Sequence, residues 1–406
     1  MIWISISIIS ITIVGVSLGR FPFLRMNRAT IAFVGAVALI LSGAISIEEA
    51  YRTIDLNTIA LLLSIMILNV NFKLSGFFSL ISVYILRIAK TPRRLLGLLI
   101  FFAGILSALF LNDTIVLVFT PIVLDIASGL KRNSVPYLIA LATAANIGSV
   151  ATIIGNPQNI LIGSFSGIKF VEFTAYLFPV ACVGLIFIWL LIITLYQKEF
   201  SKEPFELILS TKNRIHRPLM RKSVFSALLM LAAMIFGVPT AIAAMGAASL
   251  LLVTRRLKAE RVFTEIDWSL LVFFSGLFVV TGSIRTLGLS EWIFKLLFIH
   301  SGNDLIDLTI ISTLASNIIS NVPAVLLLKD IVASFSNTKI IWLLLAMATT
   351  FAGNLTLLGS VANLIVAETA KKRGIYLSFS EYLRSGILIT LGTLIIGTLW
   401  LSIFYR

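Results

Sequence analysis

The sequence predicts an all-α polytopic membrane protein made of two inverted-topology repeats, each with a re-entrant hairpin and an interrupted transmembrane helix. Three observations lead there. Apolar runs of about twenty residues, the length that crosses a bilayer, recur along the whole chain. Basic clusters are confined to the short loops between them. Polar turns then interrupt the apolar runs at matching places in the two halves. Of 406 residues, 59% are hydrophobic and only 12% charged, and the mean hydropathy is +1.05. A closed β-barrel would give short alternating segments instead.

The first run, MIWISISIISITIVGVSLG, has no basic residue ahead of it and no small-x-small cleavage site before Arg20. It is expected to be a retained N-terminal transmembrane helix within residues 1–24, not a signal peptide. Basic clusters follow at 20–28, 87–94, Lys131–Arg132, 197–222, 255–261 and 371–373. With the N-terminus outside, all of them fall on one face, provided that two segments enter the membrane and return without crossing. By the positive-inside rule that face is the cytoplasm, as expected for a multi-pass protein in the plasma membrane of a prokaryote. The net charge of +14 is thereby explained by orientation in the lipid bilayer, and no nucleic-acid partner is expected.

The first returning segment is predicted at about 95–130, turning at LNDT (111–114), and the second at about 305–337, turning at SNVP (320–323). Backbone that leaves the helix at mid-membrane is tolerated only inside protein or beside a wet cavity, so both turns point to a cavity. The polar stretch 197–222 separates a first repeat, 25–196, from a second, 223–406. It is expected to be a cytoplasmic connector with a short surface helix.

The halves align in order. IDLNTIALLLSIMILNVNFKLSGF (54–77) matches IDWSLLVFFSGLFVVTGSIRTLGL (266–289), pairing Asp55 with Asp267, Lys73 with Arg285 and Gly76 with Gly288. Asn112 pairs with Asn321. ANIGSVATIIGNPQN (145–159) matches GNLTLLGSVAN (353–363) with a four-residue contraction, pairing Asn146 with Asn354, Thr152 with Thr356, Gly155 with Gly359 and Asn159 with Asn363. Leu, Ile and Val align by chance in any apolar sequence, but ordered polar matches do not. Opposite senses of the two halves make this an inverted repeat.

Four polar turns are therefore expected to meet near the midplane: Asn112–Asp113–Thr114, Gly155 to Asn159, Ser320–Asn321, and Gly359 to Asn363. Broken helices present amide and carbonyl ends to a small polar solute. Candidate binding residues are Asn112, Thr114, Asn156, Asn159, Asn321 and Asn363, supported by Asn146, Thr152, Gly155, Asn354, Thr356 and Gly359. Such residues also serve simply to glue and kink membrane helices. Asp113 differs in kind, because a carboxyl buried in a membrane can take up and release a proton. The competing reading pairs it permanently with Lys73, Arg285 or Lys329.

Cys182 is the only cysteine, and His216 and His300 lie in or beside polar loops, so neither a metal site nor a cofactor is expected. G-x-x-x-x-G-K-[ST], HExxH and GxSxG are all missing, which argues against a built-in ATPase, a membrane hydrolase and enzymes generally.

LNDTIVLVFTPIV followed by AANIGSVATIIGNPQNILIG resembles the ion transporter superfamily, and within it the arsenite/antimonite efflux permease branch, over roughly 25–405. That resemblance implies a secondary transporter extruding arsenite or antimonite from the cytoplasm by proton-coupled alternating access. Asn112, Asn159, Asn321 and Asn363 would contact the metalloid, and Asp113 would carry the proton. It also leaves room for a soluble ATPase docked on the cytoplasmic loops and for a homodimer. Sodium-coupled relatives carry Ser-Asn-Thr at both hairpin turns. Here the turns read Leu111-Asn112-Asp113-Thr114 and Ser320-Asn321-Val322-Pro323, which makes sodium sites of that design doubtful. Alternatives of the same architecture are a permease for an inorganic or carboxylate anion and a sodium/proton antiporter. A membrane scaffold has no use for costly polar breaks in both halves; a passive channel stays an alternative, although alternating-access repeats are rarely channels.

Overall fold

The computed structural model describes residues 2–19, 24–200, 215–253, 257–289 and 302–405. Every element of secondary structure among them is helical. The first half runs α1 (Ile2–Leu18), α2 (Arg28–Leu41), a short α3 (Ile47–Thr53), α4 (Leu56–Ser75) and α5 (Phe77–Ile88). It continues with α6 (Pro92–Leu109), α7 (Asn112–Gly129), α8 (Ser134–Ser149), α9 (Pro157–Ser166) and the long α10 (Phe170–Leu195). The second half runs α11 (Arg217–Ile235), α12 (Thr240–Leu252), a short α13 (Ala259–Phe263) and α14 (Trp268–Thr286), then α15 (Asp304–Ile319) and α16 (Asn321–Leu328). A 3₁₀ turn follows over Lys329–Ser334, and α17 (Thr338–Ala352), α18 (Val361–Lys371) and α19 (Phe379–Ser402) complete the chain. Residues 201–214, where the surface helix of the connector is expected, and His300 lie outside the described residues.

The polar residues that punctuate the apolar runs are the ones that delimit these helices. Asp55 and Asp267 accept from the amides of Asn57 and Leu270 and so cap α4 and α14 at matching places. Gly76 and Gly288, which follow those helices, both have positive φ, 80° and 69°. Among the described residues, seven helices, α4, α6, α7, α10, α11, α14 and α19, are long and apolar enough to span a bilayer, while α1, α2, α5, α12 and α17 are apolar but shorter.

The two halves interlock. Helix α1 packs on α2 and α11 on α12; α2 lies against α14 of the other half, and α12 against α4. The two hairpins, α6 with α7 and α15 with α16, fold back on the interrupted helices α8–α9 and α17–α18. Every residue of α8 is buried, so its sequence shows no amphipathic face. Small residues make this possible: a Cβ on Gly148 would lie 2.2 Å from the carbonyl oxygen of Gly104, because α6 and α8 touch through their backbones. One continuous hydrophobic core embraces both halves, and a smaller cluster around Ile9, Leu39, Ile45 and Val280 joins α1 to α14.

Candidate functional site

The two helix breaks are built to one plan. Asn156 ends the first break as the N-cap of α9, accepting from the amide of Asn159 at 2.8 Å, and Ser360 is the N-cap of α18, accepting from Ala362 at 3.2 Å. The side-chain amide of Asn159 donates back to the carbonyls of Ser149 (3.1 Å) and Thr152 (2.9 Å). That of Asn363 donates to Gly353 (2.7 Å) and Thr356 (3.0 Å). Each asparagine thus supplies a donor to the carbonyl of Ser149 or Gly353 at the interrupted end of its helix, and a second donor to Thr152 or Thr356, which also accept from the amides of Gly155 and Gly359. Gly155 lets the chain pass close, since a Cβ there would lie 2.2 Å from the Ser149 carbonyl oxygen. Its own carbonyl accepts from the amide of Asn112 at 3.1 Å, which docks the first hairpin turn against the first break.

The breaks also hold each other. Asn156 donates to Thr350 (3.2 Å), the residue just ahead of the second break, and Ser360 donates to Asn146 (3.2 Å), just ahead of the first. Asn146 is the hub: it accepts from Asn112 (3.0 Å) and donates to Asn354 (2.9 Å) and Asn363 (3.2 Å). These bonds correct the register of the repeat. Asn159 and Asn363 both reach carbonyls ten and seven residues back, so the breaks align without a contraction, and Asn146 corresponds to Thr350 and not to Asn354.

Above this network lies a cavity of about 340 Å³. Asn112, Asp113, Gln158, Ser320, Asn321 and Ser360 line its floor, and Asn27, Arg28, Asp267 and Glu368 line its mouth. Helices α7, α9, α16 and α18 all begin there. The four polar turns singled out in the sequence do converge, but not all of their side chains face the cavity. Asn156, Asn159 and Asn363 are fully buried beneath it, holding the breaks. Thr114 faces α4 and accepts from Asn69 at 3.1 Å. Thr152 donates to the carbonyl of Ala108 at the end of α6, and the carbonyl of Thr356 accepts from Asn363. Asn354 sits in the network, and Gly359 packs where a Cβ would come 3.0 Å from the Gly353 carbonyl.

Two features of the floor stand out chemically. The Oδ1 of Asn112 is a buried acceptor with no hydrogen-bond partner. Ser320, at the second hairpin turn, has φ +78° and ψ 157°, a region nearly reserved for glycine. Asp113 is half-buried and has no ion pair among the described residues; the charges that reach it are Asp267 and Arg28. None of the bases considered from sequence holds it. Lys73 pairs with Glu265 at 2.7 Å, and Lys329 lies 4.3 Å from the centre of the Phe165 ring. Sequence reasoning missed Gln158, Ser360 and Arg28 as lining residues. Gln158 and Ser360 lay inside the quoted turns, whereas Arg28 was hidden in a cluster that served as an orientation signal.

Paired hairpins and paired helix breaks around one polar cavity define a membrane transporter with two inverted-topology repeats, not an enzyme. The chain belongs to the citrate transporter family, whose model matches residues 8–352. The resemblance to the ion transporter superfamily and its arsenite permease-like branch therefore stands. The chain is 30% identical to a 46 kDa membrane protein of Mycobacterium leprae, covering 98% of this chain and 99% of that one. It is 33% identical to the silicon efflux transporter LSI3 of Oryza sativa, covering 93% and 92%. The fold resembles the YdaH transporter of Alcanivorax borkumensis, with a TM-score of 0.59 at 14% identity over 99% of this chain and 97% of that one.

Proposed function

We propose that the protein exports arsenite or antimonite by proton-coupled alternating access, taking the metalloid as its uncharged trihydroxide. The observation that carries this is the unpartnered acceptor of Asn112 beside Asp113. A neutral hydroxide brings O–H donors to both, and an ionised carboxylate brings none. Charge supports the same reading: among the described residues, three carboxylates, Asp113, Asp267 and Glu368, line the cavity with one cation, Arg28. The silicon efflux relative fits as well, because silicon dissolved near neutral pH is also an uncharged hydroxide. Asn112, Gln158, Asn321 and Ser360 would contact the ligand. Thr114, Asn156, Asn159 and Asn363 would hold those contacts in place, and Asp113 would carry the proton.

A carboxylate permease is the second reading. The family's description, Arg28 and the four helix N-termini favour it, since N-termini attract anions. Against it, α9 and α18 are capped by their own Asn156 and Ser360, and the amide of Asn112 is spent on Gly155. The test is arsenite uptake into everted vesicles with and without an imposed proton gradient, with citrate as competitor. Gradient-dependent accumulation that citrate leaves untouched is expected; citrate uptake without arsenite uptake would transfer the protein to the second reading. The basic clusters, 197–222 included, would face the cytoplasm of a prokaryotic cell. We also place the start of the first repeat at α1, because α1 packs on α2 as α11 packs on α12.

A further inference from the structure

The repeat relates not only the breaks but also the two ends of the solute's path, and at those ends the structure is asymmetric. Away from the cavity mouth, Asp55 at the start of α4 accepts hydrogen bonds from Ser164 of α9 and from Thr58, each at 2.5 Å. Phe165 beside it meets Phe278 of α14, with ring centres 6.4 Å apart. Helix α9 packs on α4 there, beside a separate pocket of about 470 Å³ that Ser164 also lines with Asn57 and Leu61. Asp55 corresponds to Asp267, both being N-caps. Ser164 corresponds to Glu368 in the register fixed by Asn159 and Asn363. Asp267 and Glu368 both line the open cavity, and among the described residues no comparable packing joins α18 to α14.

We propose that Asp267 and Glu368 are the repeat-related counterpart of the Asp55–Ser164 contact, and that closing the open end brings them together around one shared proton. This rests on the alternating-access reading above. The chemistry follows from what the repeat changed. Ser164 has an O–H to donate to Asp55, whereas Glu368 can donate to Asp267 only when it is itself protonated. Two carboxylates at hydrogen-bond distance cannot both stay ionised, so one proton is taken up, its O–H donating to the other carboxylate. Thr58, the second donor to Asp55, has the apolar Leu270 as its counterpart, so that hydroxyl donor is not repeated at Asp267. Among the described residues, the charged groups that line the cavity with the pair are Arg28 of α2 and Asp113 of α7; Lys371, one turn on from Glu368, lies over the Tyr376 ring. Glu265 is held by Lys73, and Arg373 by Asp125. The protein would then bind a proton at the gate in addition to any carried by Asp113.

The tests use the full chain with Cys182→Ser, which removes a thiol in an apolar groove between α6 and α10. In everted vesicles, labelling of Ser269→Cys at the cavity mouth by an impermeant maleimide reports the open end, normalised to the unfolded protein at the same pH. Labelling should fall as pH is lowered, by up to about tenfold per pH unit where one proton is taken up. The dependence should persist with Asp113→Asn and vanish with Glu368→Gln, whose amide donates without titrating. Dependence that survives Glu368→Gln, or that vanishes with Asp113→Asn alone, overturns the shared proton. Separately, oxidising Asp55→Cys with Ser164→Cys should halt transport until a reductant is added. Undiminished transport by the crosslinked protein would overturn both the gate and the alternating-access reading. The labelling result requires no transported solute, so failure to move arsenite leaves this inference standing.

Discussion

Asn159 and Asn363 make the same pair of bonds in opposite halves of the protein, each returning its side-chain amide to carbonyls ten and seven residues earlier. That identity makes them braces of the helix breaks. Asn363→Ala takes a donor from the carbonyls of Gly353 and Thr356, of which Thr356 keeps the amide of Gly359, and is expected to cost about 1–3 kcal/mol. Thermal unfolding in detergent should show this loss. Asn321→Ala, on the cavity floor, loses the hydrogen bond from Ser316, whose hydroxyl keeps the Thr349 carbonyl, and should weaken substrate affinity with little change in melting; the reverse pattern would exchange the two roles.

Asp113→Asn removes the one titratable group that the described residues place on the cavity floor. Uphill, gradient-driven accumulation should be abolished while substrate binding survives. Coupled transport at the wild-type level in this variant would take Asp113 out of the mechanism.

Arg28 separates the two substrate classes. With a neutral hydroxide, Arg28→Gln should change KM less than about threefold, because no ligand charge is lost from its reach. A bound carboxylate deprived of a charged donor loses roughly 2 kcal/mol, well over tenfold in affinity.

Ser320 holds its turn at φ +78°. Glycine adopts that conformation without steric cost, so Ser320→Gly should raise the melting temperature, by about 1 kcal/mol of relieved strain. Ser320→Val should lower it. A glycine variant no more stable than wild type would show that the serine side chain repays its strain through contacts in the turn.

The hairpins and breaks were legible because the physics that permits them is severe: asparagine, aspartate and proline inside apolar runs have few uses other than a buried turn. The arms of the hairpins, 92–129 and 304–334, lie close to the expected 95–130 and 305–337. Register was harder. Asn146 and Asn354 share a letter and drew the alignment into a contraction, whereas the structure pairs Asn146 with Thr350, which meets the same need with a different group. Which polar residues face the solute was not legible either. An asparagine that braces a break and one that lines a cavity look alike in sequence, and only their partners distinguish Asn159 from Asn112.

The bonds from Asn156 to Thr350 and from Ser360 to Asn146 have a consequence for how the protein is made. The ribosome delivers the first half long before the second. Until residues near 350–363 are inserted, Asn146 has only Asn112 and Asn156 has Ser149, and the partners that the second half gives them are missing in a setting where unmet polar groups are costly. A nascent chain stopped after α10 would carry a helix whose entire surface is meant to be covered, with nothing yet made to cover much of it. Maturation is therefore a late event: the first half gains its full set of partners only when residues 350–363 have left the translation machinery.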